Sequence, residues 1–194
     1  MARALSGEDI LNHPVVRKHP ITLMAYPGLN RMTNIDQLFG NNTAAIVLYN
    51  VRQKNDGHWV LLIKHLPNCR ECTQYRSNYG PDGQKCAQGV IEFFDPYGSP
   101  IDFVLQMQDA TKRRVLDQPT ARLSRLLGQS PYCIVYNDRP VQKQGPAIET
   151  CGHHCLARLS MRHMDVDNYV ELMRAASHGN VDHLVSQLYD SPLV

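Results

Sequence analysis

The sequence has no apolar run long enough to serve as a secretory signal or to cross a membrane. No membrane partner and no export are expected of it. It also lacks a strong excess of charge: the net charge is +2, the isoelectric point is near 8.2, and charged residues make up 20% of the chain, a little under the usual quarter. That balance does not by itself imply nucleic-acid binding. The short cluster TKRR, Thr111 to Arg114, reads as a solvated helix face with at most a weak DNA contact. Internal repeats and low-complexity tracts are absent too, which leaves out solenoids and disordered tails.

What is present is enough for a core. Apolar residues are 43% of 194, which suits one domain over 1–194, with a cysteine-containing insertion at about 66–89. Six cysteines are spread along the chain: Cys69, Cys72, Cys86, Cys133, Cys151 and Cys155. Without a secretory signal they are expected as reduced thiols, serving catalysis, metal binding or burial rather than pairing.

Hydrophobic patterning gives the elements. SGEDILN reads as a helix capped by Ser6, and the prolines of NHPVVRKHP point to an extended path. Asn34 to Phe39 reads as a short helix stopped at Gly40. TAAIVLYNV and HWVLLIKH read as strands joined by the turn QKNDG; VIEFFDPYG and YCIVYND read as a third and a fourth strand. FVLQMQDATKRRVLD and ARLSRLLGQS look helical, as do the stretches beginning at Cys151, Tyr169 and Val181. The expected fold is α+β, a small, mostly antiparallel sheet flanked by helices, with the functional residues in loops at the strand ends.

The segment QGPAIETCGHHC, Gln144 to Cys155, admits three readings: a nucleophile, a metal site, or core residues at a helix start. A thiol at a helix N-terminus sits in the positive end of the dipole, which favours thiolate at Cys151. Gly152 would then allow a substrate backbone to come close. A nucleophilic cysteine needs a base, and the base needs an orienting group. His58 begins a strand and Asp95 ends one; if those strands are antiparallel neighbours, the two meet at one end of the sheet. Trp59 would shield them from water. The amide of Gln144, with the Cys151 N–H, could face a developing oxyanion. Read alone, Asp95 could instead cap its turn and Gln144 could merely bond its own loop.

The order His58, Asp95, Gln144, Cys151, carried by GHW (57–59), FFDPYG (93–98) and QGPAIETCG (144–152), resembles the adenain and ubiquitin-like-protease superfamily of cysteine peptidases. The Gln-Gly-Pro opening and its distance to the cysteine resemble the adenain-like viral maturation proteases more than cellular SUMO proteases, and suggest a virophage or Polinton-type member. The resemblance implies a papain-like, adenain-like fold. It implies a thiol endopeptidase that cuts capsid and other virion precursor proteins after glycine-containing motifs. It implies a location in the virion and in the infected-cell cytoplasm or virus factory. No cofactor is required for such chemistry, although relatives are activated by a peptide or by DNA. In those relatives a cysteine near the place of Cys133 bonds the activating peptide; read from its surroundings alone, Cys133 is a core strand residue. Asp95, where adenain has glutamate, and the cysteine-containing insertion depart from adenain.

Two other functions stay open at this point. One is an isopeptidase that removes ubiquitin or SUMO-type modifiers with the same four residues. The other is an inert zinc scaffold. His65 with Cys69, Cys72 and Cys86 could form a structural Cys₃His site, and Cys151, His154 and Cys155 share a helix face.

Overall fold

The computed structural model describes residues 3–67, 88–143, 145 and 148–191. Its centre is a five-stranded sheet in the order β1 (Ile21–Ala25), β2 (Ala44–Gln53), β3 (Asp56–His65), β4 (Val90–Phe94), β5 (Cys133–Tyr136). The inner pairings β2–β3 and β3–β4 are antiparallel, whereas the outer pairings β1–β2 and β4–β5 are parallel. The sheet is therefore mixed, not mostly antiparallel. The outer strands reach their places through helical connections, and such crossovers deliver a parallel partner.

The apolar runs of β2 and β3 are nearly continuous because both faces of the sheet are covered. Ile46, Leu48, Leu61 and Ile63 face a core built with α7 (Cys151–Ser160), α8 (Val166–Ala176) and α9 (Val181–Asp190). Val47, Tyr49, Val60 and Leu62 face a second core, closed by the 3₁₀ turn Tyr26–Arg31, α3 (Asp36–Phe39), α4 (Phe103–Gln106) and α6 (Arg122–Gly128).

Two local readings change and one holds. Strand β1 follows the proline-rich stretch directly, and that stretch is not extended throughout. Pro14 opens the short helix α2 (Pro14–Lys18), where its missing N–H costs nothing, and His13 caps it by accepting from Val15 N at 3.3 Å. Ser6 does cap α1 (Gly7–Asn12), with Asp9 completing a capping box. The stretch FVLQMQDATKRRVLD is two helices rather than one: Asp109 caps α5 (Ala110–Val115) by accepting from Lys112 N, and α5 buries none of its residues, leaving TKRR solvated.

One buried ion pair ties α7 to the sheet. Arg158 grips Glu92 of β4 with two bonds of 2.6 and 2.7 Å, both side chains fully buried, and its other N–H groups donate to the carbonyls of Met161 and Met164. Its remaining face lies over the Tyr169 ring. With four guanidinium N–H groups bonded, two of them to a carboxylate, the charge is stable inside the protein; removing either partner would strand the other.

Candidate active site

The site is built where the β2–β3 turn, the end of β4 and the start of α7 meet. The pairing of β2 with β3 shifts between Asn50 and Gln53. At Gly57 a methyl group would sit 1.8 Å from the Tyr49 carbonyl oxygen, so only glycine fits. The turn is fixed from below by buried amides: Gln108 and Gln118 both donate to the Asn50 carbonyl, at 2.8 and 2.7 Å. The next residue after Gly57 is His58, and it is buried.

Asp95 follows β4. The antiparallel register, Leu61 opposite Phe94, carries it back to the start of β3. His58 Nε2 and Asp95 Oδ1 lie 2.7 Å apart, both side chains almost wholly enclosed. The same oxygen accepts from Tyr97 N at 2.8 Å. Asn137, just past β5, brackets the Asp95 backbone: it accepts from Asp95 N at 3.0 Å and donates to Asp95 O at 2.6 Å. The Tyr97 ring stacks on the imidazole, centroids 4.7 Å apart. Gly98, with a φ of +65°, turns the chain where a side chain would strike the backbone of Arg139 and Pro140.

Cys151 is the first residue of the ten-residue helix α7 and is 8% exposed. Its side chain shares the wall of one cleft with His58. Burial alone would lower the imidazole's pKa. The Asp95 carboxylate, seconded by Cys151, outweighs burial and holds it up at about 10. The start of α7 is clamped by Asp182 of α9. That carboxylate accepts from Thr150 Oγ1 at 2.5 Å and from Lys143 N at 3.1 Å, and it bonds His154 Nε2 at 3.0 Å.

His58 and Cys151 line a cleft of about 840 Å³ with apolar walls from Leu23, Leu48, Phe103 and Met107. The room left by Gly152 is taken by Leu5, whose Cβ would lie 3.1 Å from an added methyl; the glycine serves internal packing rather than substrate approach. Trp59 is buried as a structural residue, its indole N–H donating to Leu5 O at 3.0 Å.

Other predicted positions fare differently. Gln144, Cys69, Cys72 and Cys86 lie outside the described residues, as does most of the expected insertion. His65 is buried and turned towards Glu92, with 3.3 Å between Nε2 and Oε2. Burial, with Arg158 and Arg162 nearby, lowers its pKa despite that carboxylate. In CGHHC the side chains diverge, His154 to Asp182 and Cys155 to the Trp59 carbonyl, so they do not join Cys151 around a metal. Among the described residues no group of three metal-ligating side chains converges. Cys133 is disulfide-bonded, whereas Cys151 and Cys155 are free thiols. The expectation of reduced thiols throughout is corrected at Cys133. Among the described residues no helix is long and apolar enough to cross a membrane.

Three supporting residues escape sequence reasoning. Tyr97 carried a signal, since it lies inside the FFDPYG turn. Asn137 and Asp182 carried none, because they act on backbone and helix ends far away in the chain.

No protein-family model matches the chain. Among curated proteins, the uncharacterized protein V9 of Sputnik virophage is 30% identical over 188 residues, covering 95% of this chain and 93% of its own length. With that identity across nearly the whole of both chains, the protein belongs to the family of Sputnik virophage V9, in keeping with the virophage side of the resemblance.

Proposed function

We propose that the protein is a cysteine endopeptidase. The carrying observation is the buried 2.7 Å contact of His58 with Asp95, coupled to a thiol at a helix N-terminus on the wall of an open cleft. Asp95 takes Nε2–H, which leaves Nδ1 for Cys151. His58, held as the imidazolium, pairs with the Cys151 sulfur, which adds to the scissile carbonyl as a thiolate. The oxyanion is met by the Cys151 N–H and, by the resemblance, by the Gln144 amide. His58 returns its proton to the leaving amine as the C–N bond breaks. Water, deprotonated by His58, then opens the thioester, releasing the acid and restoring the thiol. Asp95 keeps the ring oriented through both steps.

The substrate follows from the resemblance: virion precursor proteins, cut after glycine-containing motifs during particle maturation, in the virion or the virus factory. The chemistry is tested by timing alkylation near pH 6 by intact mass, on wild type and on His58→Ala. An ordinary thiol is mostly protonated there and reacts slowly. A single fast adduct at Cys151, slowed in His58→Ala, is expected. Equal, slow reaction of all thiols in both proteins would overturn the reading.

A further inference from the structure

A second groove, of about 600 Å³, opens beyond Tyr97. Tyr97 lines both this groove and the cleft that holds Cys151, and its ring lies on His58, so the two depressions meet at the candidate base. Gln142 holds Tyr97 in place, donating to its hydroxyl at 3.3 Å. An extended polypeptide with its carbonyl at Cys151 must leave the centre in two directions. One is the apolar cleft; the other runs over Tyr97 into this groove.

Both sides carry basic residues, but only the first has carboxylates on its wall. In the first cleft Arg52 is matched by Glu149 at 2.7 Å and by Asp56 at 3.8 Å, with Lys112 beside them. The second groove carries Lys143 and Arg174, both exposed. Arg174 donates to the Pro140 carbonyl at 3.1 Å, and neither cation has an ion pair among the described residues. The neighbouring carboxylates are engaged elsewhere: Glu171 with Arg139, and Asp182 with Thr150, His154 and the Lys143 N–H. Two exposed cations beside a backbone path favour a carboxylate on the passing chain.

We propose that the groove is a substrate subsite for an acidic side chain, so that the protein selects aspartate or glutamate on the Tyr97 side of the scissile bond. The inference rests on the peptidase reading.

The test profiles the cuts made in a proteome-derived peptide library by the full chain and by Lys143→Glu/Arg174→Glu, with pH 6 alkylation of Cys151 timed on the same samples to show an intact centre. Exposed ion pairs predict an enrichment of acidic residues of about five- to tenfold at one fixed position on one side of the cut. In the double variant the same position should turn to lysine and arginine. If charge reversal unfolds the chain, Lys143→Ala/Arg174→Ala must lose the acidic preference. Cleavage with the same profile in wild type and variant would overturn the subsite and leave the peptidase standing. Absence of a fast Cys151 adduct in wild type would remove the peptidase and the subsite together.

Discussion

Two histidine–carboxylate pairs bridge the same two strands, and they behave in opposite ways. His58 meets Asp95 where β3 begins, and His65 meets Glu92 where it ends. All four side chains are buried. Yet His58 is held up at about 10, whereas His65 is pushed below its ordinary value. The carboxylates explain the difference. Glu92 is already neutralised by two bonds from Arg158, so His65 gains little from it and feels Arg158 and Arg162 as well. Asp95 shares its bonded oxygen with a backbone N–H and leaves its charge to the imidazole. A hydrogen bond to a carboxylate does not make a histidine a base; what else holds the carboxylate decides it.

The sharpest way to break the contrast is Asp95→Asn. The amide cannot stabilise an imidazolium, burial takes over, and His58 drops below its ordinary range. Hydrolysis should fall by about 10⁴-fold, read as kcat/KM on any peptide that wild type cuts. A loss under tenfold would mean that Asp95 merely caps its turn. The mirror change, Glu92→Gln, should leave the fast adduct at Cys151 intact and cost stability instead. It strands Arg158 without a counter-charge, at about 3–5 kcal/mol, measurable by urea unfolding. An unchanged unfolding midpoint would show that the pair contributes nothing net.

The smallest effect is in pH. The fold favours protonated His58, so its contribution is whole below about pH 6.5 and is lost as pH rises towards 10. The fold favours neutral His65, so its contribution is present above about pH 6.5 and is lost as pH falls below that. His65→Gln should therefore flatten the acid side of the stability profile, by up to about 1.4 kcal/mol per pH unit. His13, His153 and His154, whose pKa values are lowered as well, keep part of the slope. An unaltered slope in the variant would mean that His65 is protonated in the native state.

The contrast also marks what can be read from the sequence. Strands β2, β3 and β4 were legible as apolar runs, and His58 with Asp95 followed from their adjacency. Strand direction at the sheet margins was not legible, since an apolar run looks the same in a parallel or an antiparallel pair. His65 was drawn towards the neighbouring cysteines by spacing alone. A partner in the sheet stood in plain view: a glutamate inside VIEFF, in a strand with no exposed face, needs a buried cation, and Arg158 of α7 is the match. Asp182 and Asn137 were illegible because what they hold is backbone and helix ends, which leave no pattern at fixed spacing.

The chain has a single tryptophan, Trp59, one residue along the backbone from the candidate base, and its indole N–H is spent on the carbonyl of Leu5. The intrinsic fluorescence of this protein is thus a local signal. Its emission reports whether the N-terminal segment is seated beside the helix that begins at Cys151, and unseating it would expose the ring to water and shift the emission to the red. A spectrometer can follow the state of that wall during turnover with no label attached.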